Sequence, residues 1–233
     1  MIEFGHGTHV GLRREHNEDT YSAEPELGLW LVADGMGGHD LGEVASAIAR
    51  DTVVAEVAEG HSLSESIATA AQRIVDQSKA RQSAMPMGTT LVATHISNNT
   101  FEVAWVGDSR VYHWNGHLKQ LTSDHSYVQE LVDQGAISPE QAKTHPHRNV
   151  VTQALGVTEP GSLRVDTVSG TLKGGEKLLL CSDGLTEEVD DEYIAHILSR
   201  NLDPQESVDH LILAALDHGG SDNVTVILVG PEH

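Results

Sequence analysis

The chain has a single cysteine, Cys181, in 233 residues. That excludes an internal disulfide and any zinc site built on clustered thiolates. Cys181 closes the apolar run Leu178 to Cys181, where a packing role fits better than a nucleophile. Positive charge is scarce: 14 Lys and Arg stand against 35 Asp and Glu, a net charge of −21. So acidic a surface is a poor match for nucleic acid or for an anionic membrane. No apolar run reaches the length of a membrane span, and the first residues lack the basic and apolar segments of a signal peptide. The expectation is a cytoplasmic protein. Aromatics are only 4% of the chain, so its core has to be aliphatic, and a hydrophobic content of 39% suffices for one. Repeats, low-complexity tracts and long linkers are also missing, which predicts one domain over residues 1–233.

What the chain does have is a set of strands that end or begin on an acid. Leu29 to Ala33 reads as a buried strand and runs into Asp34-Gly35-Met36-Gly37-Gly38. The strand carries the carboxylate past the sheet edge, and the glycines let the backbone turn and leave a carbonyl free to face a ligand. The pattern recurs at Leu178 to Asp183-Gly184, and in variant form at Val103 to Gly107-Asp108-Ser109-Arg110. Asp222 precedes a terminal strand at residues 223–229. Carboxylates gathered at strand ends point to one hard-cation site, and oxygen donors favour Mg²⁺ or Mn²⁺ over zinc. The 15 histidines lie mostly in loops or on helix surfaces without the close helical spacing of a zinc motif. Arg14, in the polar loop of residues 11–19, has two readings. It can grip a phosphate beside the cations, or form a surface ion pair with Glu15 or Glu18.

The remaining periodicities set the fold. Strands are predicted at residues 2–10, 20–23, 89–96, 101–106, 111–114, 118–121, 163–168 and 177–181, with hairpin turns at Ser97 to Thr100 and Asn115-Gly116. Helical spacing starts at Leu41, a capping box at Ser62 to Glu65 opens a second helix, and two more helices follow near Tyr193 and Asp203-Pro204. Residues 123–149 hold one short amphipathic helix (Tyr127, Leu131, Val132) and read as an insertion over the site. This order predicts an α+β fold. Two mostly antiparallel sheets pack face to face, with a helix pair on each outer side.

Taken together and in order, the motifs resemble the PPM/PP2C-type metal-dependent protein serine/threonine phosphatases of the compact bacterial kind. The resemblance rests on Gly11-Leu-Arg-Arg14-Glu-His-Asn17-Glu-Asp19, Asp34-Gly-Met-Gly-Gly38 through Ser46, Met87-Gly-Thr-Thr90, Val106-Gly-Asp108-Ser-Arg110 and Leu121-Thr-Ser-Asp124-His125. Arg148-Asn149, Leu155-Gly156, Ser182-Asp183-Gly184 and Ser221-Asp222-Asn223-Val224-Thr225 complete it. It implies hydrolysis of phosphoserine and phosphothreonine in proteins by a water or hydroxide bridging two Mn²⁺ or Mg²⁺ ions. Asp34 would bridge the ions, and Asp183 and Asp222 would complete the first. The Gly35 carbonyl, Asp19 and, through water, Glu18 would serve the second. Asp108 with Asp183 matches the ligands of a third ion. Arg14 would hold the substrate phosphate, and Asn223 would orient Asp222.

Met36 stands where eukaryotic relatives commonly carry a histidine proposed as general acid. The candidates for that role are a metal-bound water, His39 and His145. The implied protein is a monomer that reverses a bacterial Ser/Thr kinase, with the 123–149 insertion as the family's flap. A phosphatase dedicated to one regulatory protein is the runner-up, but such relatives usually carry sensor domains. An inactive binding protein on the same fold is disfavoured by the intact set Asp19, Asp34, Asp108, Asp183 and Asp222.

Overall fold

Strand β3 (Leu29–Met36) shows why its apolar run is unbroken. Leu29, Leu31 and Ala33 pack against helices on one face, while Trp30 and Val32 enter the core between two sheets. A strand buried on both faces has no polar side to alternate with. The computed structural model describes residues 1–37, 41–81 and 86–232.

The sheet that holds β3 runs β2 (Asp19–Glu24), β3, β5 (Leu91–Ser97), β6 (Thr100–Val106), β9 (Asp166–Thr171), with β4 (Gly88–Thr89) on the end of β3. Its partner sheet runs β1 (Ile2–His9), β11 (Val224–Pro231), β10 (Lys177–Cys181), β7 (Arg110–Trp114), β8 (Leu118–Gln120). All these pairings are antiparallel. Helices α1 (Leu41–Ala58) and α2 (Leu63–Ala80) cover the β3 sheet, and α6 (Asp191–Leu198) and α7 (Pro204–Asp217) cover the other. The result is the expected α-β-β-α sandwich. Cys181 is buried among the α6 and α7 contacts, and burial pushes its thiol up to about 12, which fits packing rather than chemistry.

The capping box is formed. The Glu65 amide donates to Ser62 Oγ at 3.3 Å, and the Ser62 amide donates to Glu65 Oε2 at 3.0 Å. Ser62→Ala removes the cap without touching the core. It is expected to cost about 1 kcal/mol and to lower the melting temperature by about 2–4 °C, with Ser62→Thr close to wild type in the same melt.

Three elements depart from the sequence expectation. The strand predicted at 163–168 lies at β9 instead, while Leu163 and Val165 pack under α1 and α2. β9 is a sheet-edge strand of alternating half-buried and exposed residues, mostly polar, and gives little apolar period. The insertion holds two helices rather than one: α3 (Tyr127–Asp133) and α4 (Pro139–Lys143), the second closed by its own capping box at Ser138 and Gln141. A four-residue helix, α5 (Asp183–Thr186), follows β10 directly. Helices this short show no period to read. No helix among the described residues is long and apolar enough to cross a membrane.

Candidate active site

Antiparallel pairing of β2 with β3 sets Asp19 directly opposite Asp34. From the other sheet come Asp183, the first residue of α5, and Asp222, just before β11. Asp108 lies in the turn where the chain crosses between sheets from β6 to β7. Two glycines permit this crowding. A Cβ on Gly184 would overlap the Asn223 carbonyl, so α5 can start this close to β11 only without a side chain there. Gly107, at φ +108°, has no room for a Cβ against Thr90 and turns the chain just before Asp108.

Asp34 is held by its backbone. Its carbonyl accepts from the Thr90 amide and from Thr89 Oγ1, each at 2.9 Å, and its amide donates to Thr90 Oγ1 at 3.3 Å. Its carboxyl faces that of Asp183, whose charge raises the cost of ionising it. Burial, then the charges of Asp19, Asp183 and Asp108, holds Asp34 well above the usual carboxylate range. Burial raises Asp183 as well. Asp108 is raised by burial and by Asp183, and Asp19 is pushed to about 7 chiefly by burial. Glu187, beside α5, is carried to about 7 by burial, Asp183 and Asp222; nothing in its sequence context marked it.

These carboxyls therefore repel one another in a desolvated space, and the nearby Arg14 and Arg110 offset only part of that repulsion. Asp19 Oδ1, Asp183 Oδ1 and Glu18 Oε1 are buried with no hydrogen-bond partner. Orphaned, oxygen-only donors of this kind fit hard divalent cations. No three His, Cys, Asp or Glu side chains among the described residues are grouped tightly enough to hold an ion unaided. Any shell at this site needs further oxygens, from backbone or water.

Arg14 meets neither Glu15 nor Glu18. Its Nη2 lies 2.7 Å from Asp222 Oδ2, at a half-exposed rim. Asn223 has two jobs. Its backbone amide donates to Asp222 Oδ1 at 2.8 Å, while its side chain ties down the Arg14 loop, donating to the Val10 and His16 carbonyls at 2.8 and 2.9 Å and accepting from the Glu18 amide at 2.9 Å. The side chain thus steers the loop, and the main chain steers Asp222. His145 packs against Tyr127 and His147, and its Nδ1 accepts from the His147 amide, so among the described residues these contacts stay within the insertion. His39 lies outside the described residues.

Residues 7–215 match the family profile described as Protein phosphatase 2C. The chain belongs to that family. Serine/threonine phosphatase stp of Listeria monocytogenes is 39% identical over 236 residues, which cover 95% of this chain and 93% of the relative. The Mycobacterium tuberculosis serine/threonine phosphatase PstP/Ppp superposes with a TM-score of 0.89 at 36% identity, covering 100% of this chain and 99% of that one. The catalytic domain of PstP in complex with two manganese ions superposes with a TM-score of 0.87 at 33% identity, covering 100% and 99%. This Protein phosphatase 2C chain is thus a protein serine/threonine phosphatase of the bacterial type, in a family that depends on metal, and phosphoproteins are its class of substrate.

Proposed function

We propose that the chain is one catalytic domain that hydrolyses phosphoserine and phosphothreonine in proteins with two Mn²⁺ or Mg²⁺ ions. It would act as a cytoplasmic monomer reversing a bacterial Ser/Thr kinase. The observation that carries this reading is the set of buried, unpartnered oxygens on Asp19, Asp183 and Glu18 around Asp34. Asp34 would serve both ions, Asp183 and Asp222 the first, and the Gly35 carbonyl with Asp19 and Glu18 the second. Asp108 with Asp183 would take a third. When bound, the ions supply a water acidified to near neutrality and positive charge for the phosphoryl oxygens. Arg14, half-exposed beside Asp222, would take two phosphate oxygens in its planar fork. Met36 has no proton to give and His145 Nδ1 is engaged by the His147 amide, so a metal-bound water, with His39 as the alternative, would protonate the leaving alkoxide. Residues 123–149 would act as a flap beside the cleft.

The test is hydrolysis of a phosphothreonine peptide with Mn²⁺, with Mg²⁺ and with excess chelator. Turnover with either cation and none in chelator is expected. No turnover from folded protein that binds Mn²⁺ would shift the assignment to a phosphoprotein-binding role on the same fold.

A further inference from the structure

Five side chains from both sheets form a directed hydrogen-bond circuit that ends on Asp19. Thr225 Oγ1 donates to Asp19 Oδ2 at 2.6 Å, and Ser182 Oγ donates to the same oxygen at 2.8 Å. The single Thr225 hydroxyl proton is therefore spent. In the 2.8 Å contact between Thr8 and Thr225, paired across β1 and β11, Thr8 must be the donor. Thr8 has then used its own proton and accepts from Asn17 Nδ2 at 2.9 Å. Asn17 Oδ1 closes the circuit by accepting the Asp19 amide at 3.1 Å. Ser182 Oγ is fixed in turn by the Thr225 amide, which donates to it at 3.0 Å. Every hydroxyl and amide in the circuit thus has a single consistent direction. One carboxylate oxygen of Asp19 is saturated by two donors, while the other, Oδ1, is buried without any partner.

We propose that Thr225 and Ser182, backed by Thr8 and Asn17, are positioning residues that commit Asp19 Oδ2 to the protein and reserve Oδ1 for a divalent cation. The inference rests on the cation-dependent reading given above. Its consequence is that the sheet opposite β2 sets the geometry of a ligand it does not carry. A carboxylate free to rotate would offer either oxygen, or both, at a cost in orientation each time an ion binds. The circuit removes that freedom.

The experiment is calorimetric titration of the full chain with Mn²⁺, for wild type, Thr225→Val, Thr225→Ser and Ser182→Ala. Valine keeps the shape and β-branching of threonine on a fully buried strand but removes the donor. Loss of an orienting hydrogen bond behind a metal ligand costs about 10- to 100-fold in affinity. Thr225→Val is expected in that range, and Thr225→Ser, which keeps the hydroxyl, within about 3-fold of wild type. Turnover of Thr225→Val at low Mn²⁺ should recover when Mn²⁺ is raised, with KM for the phosphopeptide unchanged, which a general loss of structure would not produce. If Thr225→Val does not fold, Ser182→Ala, which adds no bulk and removes the second donor, carries the same expectation. Folded variants that bind Mn²⁺ as tightly as wild type overturn the positioning role alone. Wild type that binds no Mn²⁺ overturns both this inference and the cation-dependent reading.

Discussion

Asp34→Asn is expected to lower turnover at least about 10³-fold while leaving the fold as stable as wild type, or more stable, in chelator. The two effects have different physical origins. Removing one oriented electrostatic contributor from an active site costs about 10²–10³ in kcat, and Asp34 is assigned to both ions, so it belongs at or beyond the top of that range. Stability responds in the opposite sense. Asp34 is half-buried, faces Asp19, Asp183 and Asp108, and is held well above the usual carboxylate range by desolvation and those neighbouring charges. A neutral amide relieves that repulsion. Asparagine also fills the same space, and its Nδ2 is a donor that can face the Asp183 carboxylate. The backbone bonds from Thr89 and Thr90 are untouched by the substitution. Parallel phosphopeptide assays and thermal melts check both halves, and the rise in melting temperature caused by Mn²⁺ should shrink in the variant. A variant that keeps more than a tenth of wild-type turnover would remove Asp34 from the centre of the site.

The parts of this molecule that could be read from sequence are those in which one local pattern fixes one structural outcome. The run Leu29 to Ala33 is apolar at every position because both its faces are buried, and the carboxylate that ends it is conspicuous for that reason. Asn115-Gly116 marks its hairpin through Gly116, at φ +94°. Ser62 and Glu65 declare a helix start by their spacing. The parts that could not be read depend on partners remote in the chain. Arg14 offers the sequence only Glu15 and Glu18 as neighbours, yet its partner is Asp222, on the far side of 208 positions. Thr225 and Ser182 look like ordinary strand residues, since β-branched and small side chains are common in sheets. Only the placement of β2 against β10 and β11 turns their hydroxyls toward Asp19. Asn223 shows the same limit: its place in the Ser221 to Thr225 motif suggested a hold on Asp222, which its main-chain amide makes, but not the reach of its side chain to Val10, His16 and Glu18. A fully buried Thr or Ser beside a motif aspartate does carry a signal, because it has to spend its hydroxyl somewhere, and the nearest unsatisfied acceptor is the aspartate cluster.

The same buried carboxyls predict an inverted dependence of stability on pH. Burial and neighbouring charge push Asp19 to about 7, and they push Asp34 and Asp108 well above the usual range, whereas in the unfolded chain each titrates at about 3.9. Between those limits the folded state holds more protons than the unfolded one, so the slope of unfolding free energy with pH is negative. Stability is highest where the carboxyls are protonated and is lost as pH rises through their folded values. His125 works in the other direction. Buried against Gly107 and Asp166, it has a lowered pKa, so protonation costs stability once pH falls below about 6.5. A scan upward from about pH 6.5 therefore isolates the carboxyls. A tenfold difference in proton affinity between the folded and unfolded chain is worth about 1.4 kcal/mol, and about 1 kcal/mol moves the melting temperature of a chain this size by about 2–4 °C. In chelator, the melting temperature should fall on the order of 5 °C between about pH 6.5 and 8. With Mn²⁺ at saturating concentration the curve should flatten or rise, because a cation binds the ionised ligands and competes with the protons they would otherwise hold. The gap between the two curves should widen with pH. A chelator curve that is flat or rising over this range would mean that these carboxyls are already ionised and compensated within the protein, and would remove the electrostatic argument for a cation at this site.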